Sequence, residues 1–93
     1  MNVGICTLDL YIYNVNSLKE KRSVIKSLIN KSKNKFNISI AETGENDKWQ
    51  KSIVSFACLS NDKKVIDSTK ETLIKFILSN YDLEILNIES EIL

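Results

Sequence analysis

From Val3 to Tyr13 the chain alternates, placing Gly4, Cys6, Leu8, Leu10 and Ile12 on one side and Val3, Ile5, Thr7, Asp9, Tyr11 and Tyr13 on the other. A period of two predicts a half-buried strand, and the first set is the one expected to face the core. After Asn14-Val15-Asn16 the period lengthens. Ser17 and Glu20 form an S-x-x-E capping box, which predicts a helix starting at Leu18. At about 100° per residue, Leu18, Ile25, Leu28 and Ile29 share one face of that helix, with Val24 at its edge. Asn34, a residue type that tolerates a left-handed cap, is its expected end.

Alternation resumes from Phe36 to Thr43 with Phe36, Ile38 and Ile40 inward. It returns from about Gln50 to Ser60, with Val54, Phe56 and Cys58 inward and Lys51, Ile53, Ser55, Ala57 and Leu59 outward. The polar segment Thr43–Lys48 between them reads as a mobile hairpin tip. Ser60, Asn61 or Asp62 caps a second helix in which Ile66, Thr69, Leu73, Phe76 and Ile77 share a face, and Asn80 is its expected stop. Leu83–Leu93 is the last strand, with Leu86, Ile88 and Ile92 inward. The order β-α-β-β-α-β predicts an α+β, ferredoxin-like fold over residues 1–93: a four-stranded antiparallel sheet with two helices on one face and strands one and three central.

Charge adds what the pattern does not. Net charge is only +1, yet residues 17–35 carry seven bases against one acid, while Asp82–Leu93 carries four acids and no base. Lys19, Arg22, Lys26 and Lys33 line up along one flank of the first helix, with Lys31 and Lys35 on the other side. Positive side chains in the first turn oppose the helix dipole at a cost of roughly 0.3–1 kcal/mol each. Folding alone therefore gives no reason for Lys19, Lys21 and Arg22 there. An anionic partner does, because the same helix end offers free N–H groups to phosphate.

Other chemistry is harder to assemble. The chain has no His and two Cys, too few and too far apart for a zinc motif, and both read as reduced core thiols. No catalytic residues, metal, cofactor or small-molecule substrate are expected, and neither is an enzyme. No apolar run approaches the roughly 18 residues of a membrane span, and Met1–Ile12 alternates without a basic leader, so a cytoplasmic protein is expected. An RNA-recognition motif would need stacking aromatics on both central strands, but the third strand offers only Ile53, Ser55, Ala57 and Leu59 on its open face. A second expectation follows from that face. Val3, Ile5, Ile53, Leu59 and Ile85 beside Tyr11 and Tyr13 form a contiguous apolar patch, a surface suited to a protein partner or a homodimer.

Ser17-Leu18-Lys19-Glu20-Lys21-Arg22, Ser39-Ile40-Ala41-Glu42, Asp47-Lys48-Trp49-Gln50, Ser60-Asn61-Asp62, Leu83-Glu84-Ile85-Leu86 and Glu91-Ile92-Leu93 together resemble the small bacterial YlxP-like family, a domain family of unknown function. The likeness runs the length of the chain in order; Ser55 departs from it, standing where many relatives have Gly. It implies a ferredoxin-like fold. Genes of that family often lie among those for transcription elongation, translation initiation and ribosome-binding factors, which implies a role near RNA or the small ribosomal subunit. Under that resemblance Lys19, Lys21 and Arg22 are the first candidates for anion contact, with Trp49 and Gln50 next. By residue type alone Trp49 is expected to pin the hairpin to the core, since Trp is buried on average.

Overall fold

The alternation of β1 (Asn2–Ile12) places Cys6, Leu8, Leu10 and Ile12 at no more than 2% exposure in the computed structural model, which describes residues 1–93. Its antiparallel neighbours are β3 (Lys51–Ser60) on one side and β4 (Leu83–Ile92) on the other, while β2 (Ser39–Gly44) pairs with β3 to complete the sheet order β2-β3-β1-β4. Helices α1 (Leu18–Lys35) and α2 (Lys63–Asn80) follow β1 and β3. This is the α+β ferredoxin-like arrangement, with β1 and β3 central. No helix is long and apolar enough to cross a membrane.

The core lies between the sheet and the two helices. Leu8, Leu10, Val54 and Phe56 from the central strands meet Ile25 and Leu28 of α1 and Leu73 and Ile77 of α2. Burying each such side chain contributes about 1.5–3 kcal/mol. Ser17 caps α1 as its sequence predicts, its Oγ accepting from the Glu20 N–H at 3.1 Å, but the Glu20 carboxylate reaches back to the N–H of Asn16 rather than Ser17. The helix runs to Lys35 and ends on an extended Phe36. Asn34 stays helical. The left-handed residues are instead Asn14, in the turn before α1, and Glu45, in the β2–β3 loop. Asp62 caps α2, accepting from the Lys64 N–H at 2.9 Å.

Two expectations for β4 change because of a bulge. The β1–β4 register shifts between Asp9 and Leu10, so that Asp9 faces Asn87 while Leu10 faces Ile85. Paired residues share a face, and Ile85 therefore joins Leu10 on the helix side, packed on the core, instead of lying on the open face. Leu86 is the extra residue of the bulge and is 46% exposed, not inward. Ile88 and Ile92 do pair with the inward Leu8 and Gly4, yet remain 45% and 37% exposed at the sheet edge.

Gly4 is fixed by close packing. A Cβ built there would lie 2.3 Å from Ile66 Cγ2 of α2. Gly4→Ala is expected to lower stability by about 1–3 kcal/mol through overpacking. Urea unfolding checks this, and an Ile66→Ala background should remove most of the added penalty.

Candidate nucleic-acid interface

The α1 residues facing inward are Lys21, Ile25, Leu28 and Ser32, spaced four, three and four. Lys21 thus lies on the buried face, with its side chain 0% exposed. Its Nζ donates to Glu42 Oε2 at 2.7 Å and to the backbone carbonyls of Glu45 at 3.0 Å and Asn46 at 3.3 Å. Glu42 in turn accepts from the Ser52 hydroxyl and from Asn46 Nδ2. The expectation that Lys21 contacts an anionic partner is corrected: its charge is spent inside, on a carboxylate and two carbonyls. Through the same contacts Lys21 ties the loop expected as a mobile hairpin tip to α1.

Lys19, Arg22, Lys26 and Lys33 are all exposed. On the opposite flank of α1, Ser27 hydrogen-bonds the Tyr81 hydroxyl at 2.9 Å, Lys31 stands 6.0 Å from the Tyr81 ring, and Lys35 stands 4.8 Å from the Phe76 ring of α2. That flank faces α2. The stripe of four therefore faces away from α2, on the side where α1 overlies β2 and its following loop. The Arg22 guanidinium meets Asp47 of that loop at 3.6 Å, with both side chains more than half exposed, which is a weak and displaceable contact.

The loop completes this surface. A Glu45–Lys48 pair at 2.8 Å staples the turn, and the Lys48 ammonium holds the Glu45 carboxyl below its ordinary range. The staple therefore holds above the ordinary carboxylate range and is lost as pH falls through the lowered Glu45 value. Beyond it, Ile12 N–H donates to the Gln50 carbonyl at 2.7 Å. Between these two anchors Trp49 is 55% exposed, so it does not pin the hairpin to the core as its residue type suggested.

The open sheet face is less uniform than its sequence predicts. Ile5 and Leu59 are 37% and 62% exposed and, with Val3, form an apolar corner. Ile53 and the edge-to-face pair Tyr11–Tyr13 lie further along, beyond a row of hydroxyls in which Thr7 meets Ser55 at 3.0 Å and Ser55 meets Thr43 at 2.8 Å. The patch is thus split in two. Glu84, Glu89 and Glu91 of β4 pair with Tyr11, Thr7 and Ile5 and border the same face with negative charge. Glu84 accepts from the Tyr13 hydroxyl at 2.9 Å, which raises that phenol above its ordinary value.

Cys6 and Cys58 both line a cavity of about 110 Å³ under α2, with Gly4, Ile66 and Lys70. Burial pushes both thiols up, partly offset at Cys6 by the Lys70 charge. Such thiols are poor nucleophiles at neutral pH. Slow alkylation by iodoacetamide is expected, slower at the buried Cys6 than at the half-buried Cys58, as read by mass spectrometry of the intact protein.

Fold and surface together define a ferredoxin-like α+β domain with a cationic flank on its first helix. The chain belongs to the family described as "Protein of unknown function (DUF503)", which matches residues 3–90. It is 34% identical over 82 residues to "Uncharacterized protein YlxP" of Bacillus subtilis (strain 168), a likeness spanning 88% of this chain and 89% of that relative. Among solved structures it is similar to "De novo designed protein Foldit4", with a TM-score of 0.54 and 16% identity over 98% of this chain and 97% of that one. That likeness shows the fold alone. Membership in the family agrees with the motifs from Ser17 to Leu93 that resemble it.

Proposed function

We propose that this is a non-enzymatic cytoplasmic protein that docks on structured RNA, in the small ribosomal subunit, by laying the outer flank of α1 along the phosphate backbone. The observation that carries this reading is the exposed row Lys19, Arg22, Lys26 and Lys33 on the flank turned away from α2, with one weak acidic contact along its length. A rigid helical row of cations reads phosphate positions and helix shape rather than base sequence. The small subunit is the RNA body that the gene context of the resembled family implies. The acids of β4 lie across the sheet on its other edge, so the molecule is dipolar and presents its basic side to an RNA.

The test is sedimentation of the purified protein with isolated small and large ribosomal subunits at low salt. Recovery with the small subunit supports the reading, and failure to pellet with either overturns it. The apolar corner formed by Val3, Ile5 and Leu59 favours a second reading, an oligomeric interaction module. Replacing Ile5 and Leu59 of that corner by Lys leaves RNA binding intact under the first reading and abolishes association under the second.

A further inference from the structure

Trp49 is the chain's single tryptophan, and it stands in a loop with fixed points on both sides. Before it, Lys21 Nζ holds the carbonyls of Glu45 and Asn46, and the Lys48 N–H returns to the Glu45 carbonyl at 3.2 Å. After it, the Gln50 carbonyl is held by β1. A large aromatic left 55% exposed on an anchored loop is a preformed contact surface, since nothing must be ordered before it can bind. Its surroundings identify the occupant. Asp47, two residues earlier, touches Arg22 of the basic stripe, and Lys48 and Lys51 flank the ring in sequence. Of the acids in and under the loop, Asp47 contacts Arg22, Glu45 is paired with Lys48 and Glu42 with Lys21, while at the end of the sheet that holds Gln50 the Asp82 and Glu84 carboxylates accept from Asn14 and Tyr13.

Cations beside an exposed aromatic are the combination that takes an unstacked base next to its phosphates. We infer that Trp49 stacks on an unpaired RNA base while Lys19, Arg22 and Lys26 hold the phosphates of the adjoining duplex. The ligand is thus an RNA helix ending in a loop or bulge, rather than a plain duplex. This inference rests on the phosphate-reading role proposed above and adds the base to it. Stacking on an aromatic is sequence-tolerant, because every base has a π-face, so it selects unpaired structure without selecting a sequence.

The sole tryptophan is also the reporter. The intact protein is titrated with two synthetic RNAs of equal phosphate number, a hairpin with an adenine-rich loop and a blunt duplex. Trp49 emission and the anisotropy of a label on the RNA are followed together. The expected result is strong quenching with the hairpin only, tighter binding of the hairpin by about tenfold or more, and equal affinities for the two RNAs in Trp49→Ala. Trp49→Phe, which keeps a ring, retains most of the preference. Hairpin binding seen by anisotropy with unchanged Trp49 emission would overturn base stacking and leave phosphate reading in place. Binding of neither RNA would overturn both.

Discussion

Replacing Lys21 by Met is expected to lower the unfolding free energy by about 3–5 kcal/mol, the range for removing one member of a buried ion pair. The Met stem fills the volume, so the loss is electrostatic. Glu42, with its side chain only 15% exposed, keeps a carboxylate facing a cation that is gone. The carbonyls of Glu45 and Asn46 lose the same donor. With a urea m-value of about 1 kcal/mol/M, at the lower end for small proteins, the midpoint should fall by about 3 M or more. Adding Glu42→Gln to Lys21→Met removes the stranded charge and should recover part of the loss, about 1–2 kcal/mol. A drop below about 1 kcal/mol in the single variant, the level of an exposed pair, would show that the pair is solvent-screened and not a fixed anchor of the loop.

The second large effect is on binding. Changing Lys19, Arg22 and Lys26 together to Gln should lower RNA affinity by at least tenfold and reduce the salt slope by about 2–3, at roughly 0.7–0.9 per phosphate contact. The fold should be untouched, since Lys19 and Lys26 are exposed and form no ion pair and Arg22 has only its weak contact with Asp47. Removing Lys19 from the first turn relieves an unfavourable interaction with the helix dipole, so the variant should be at least as stable as the parent. The matched control is Lys31→Gln with Lys35→Gln. It removes nearly as much charge from the same helix, but from the flank facing Tyr81 and Phe76. Because the control removes two charges and the triple variant three, an equal loss of affinity per charge removed would show that the effect is net charge and not the outer flank of α1.

Four strands, both helices, the helix starts and the central position of β1 and β3 were legible because periodicity and caps are local signals, but β2 begins at Ser39 and not at Phe36, which ends α1. What escaped was set between elements. Lys21 reads as one more lysine in a basic run until its spacing to Ile25, Leu28 and Ser32 is placed against Glu42, two residues after the inward Ile40, and Ser52, two before the inward Val54. Three polar residues at inward positions of three elements were the available sign of a buried network. Strict alternation puts Ile85 on the open face, but a one-residue bulge reverses the face of everything beyond it, and no Gly or Pro marks that bulge. The stop of α1 was set by the extended Phe36, whose ring packs edge-to-face on Phe76, and not by Asn34. The average behaviour of its residue type says nothing of where Trp49 stands. Its exposure follows from a loop held by Lys21 and by the Gln50 carbonyl, neither of which draws the ring inward.

The central claim is that the outer flank of α1 binds by neutralising phosphates. Its most direct test is the salt dependence of the wild-type protein's affinity for small ribosomal subunits, measured by co-sedimentation across a series from low to physiological salt. Three or four phosphate contacts predict a log–log slope of about −2 to −4. A slope near zero at measurable affinity would contradict the claim and move the binding surface to the apolar corner formed by Val3, Ile5 and Leu59.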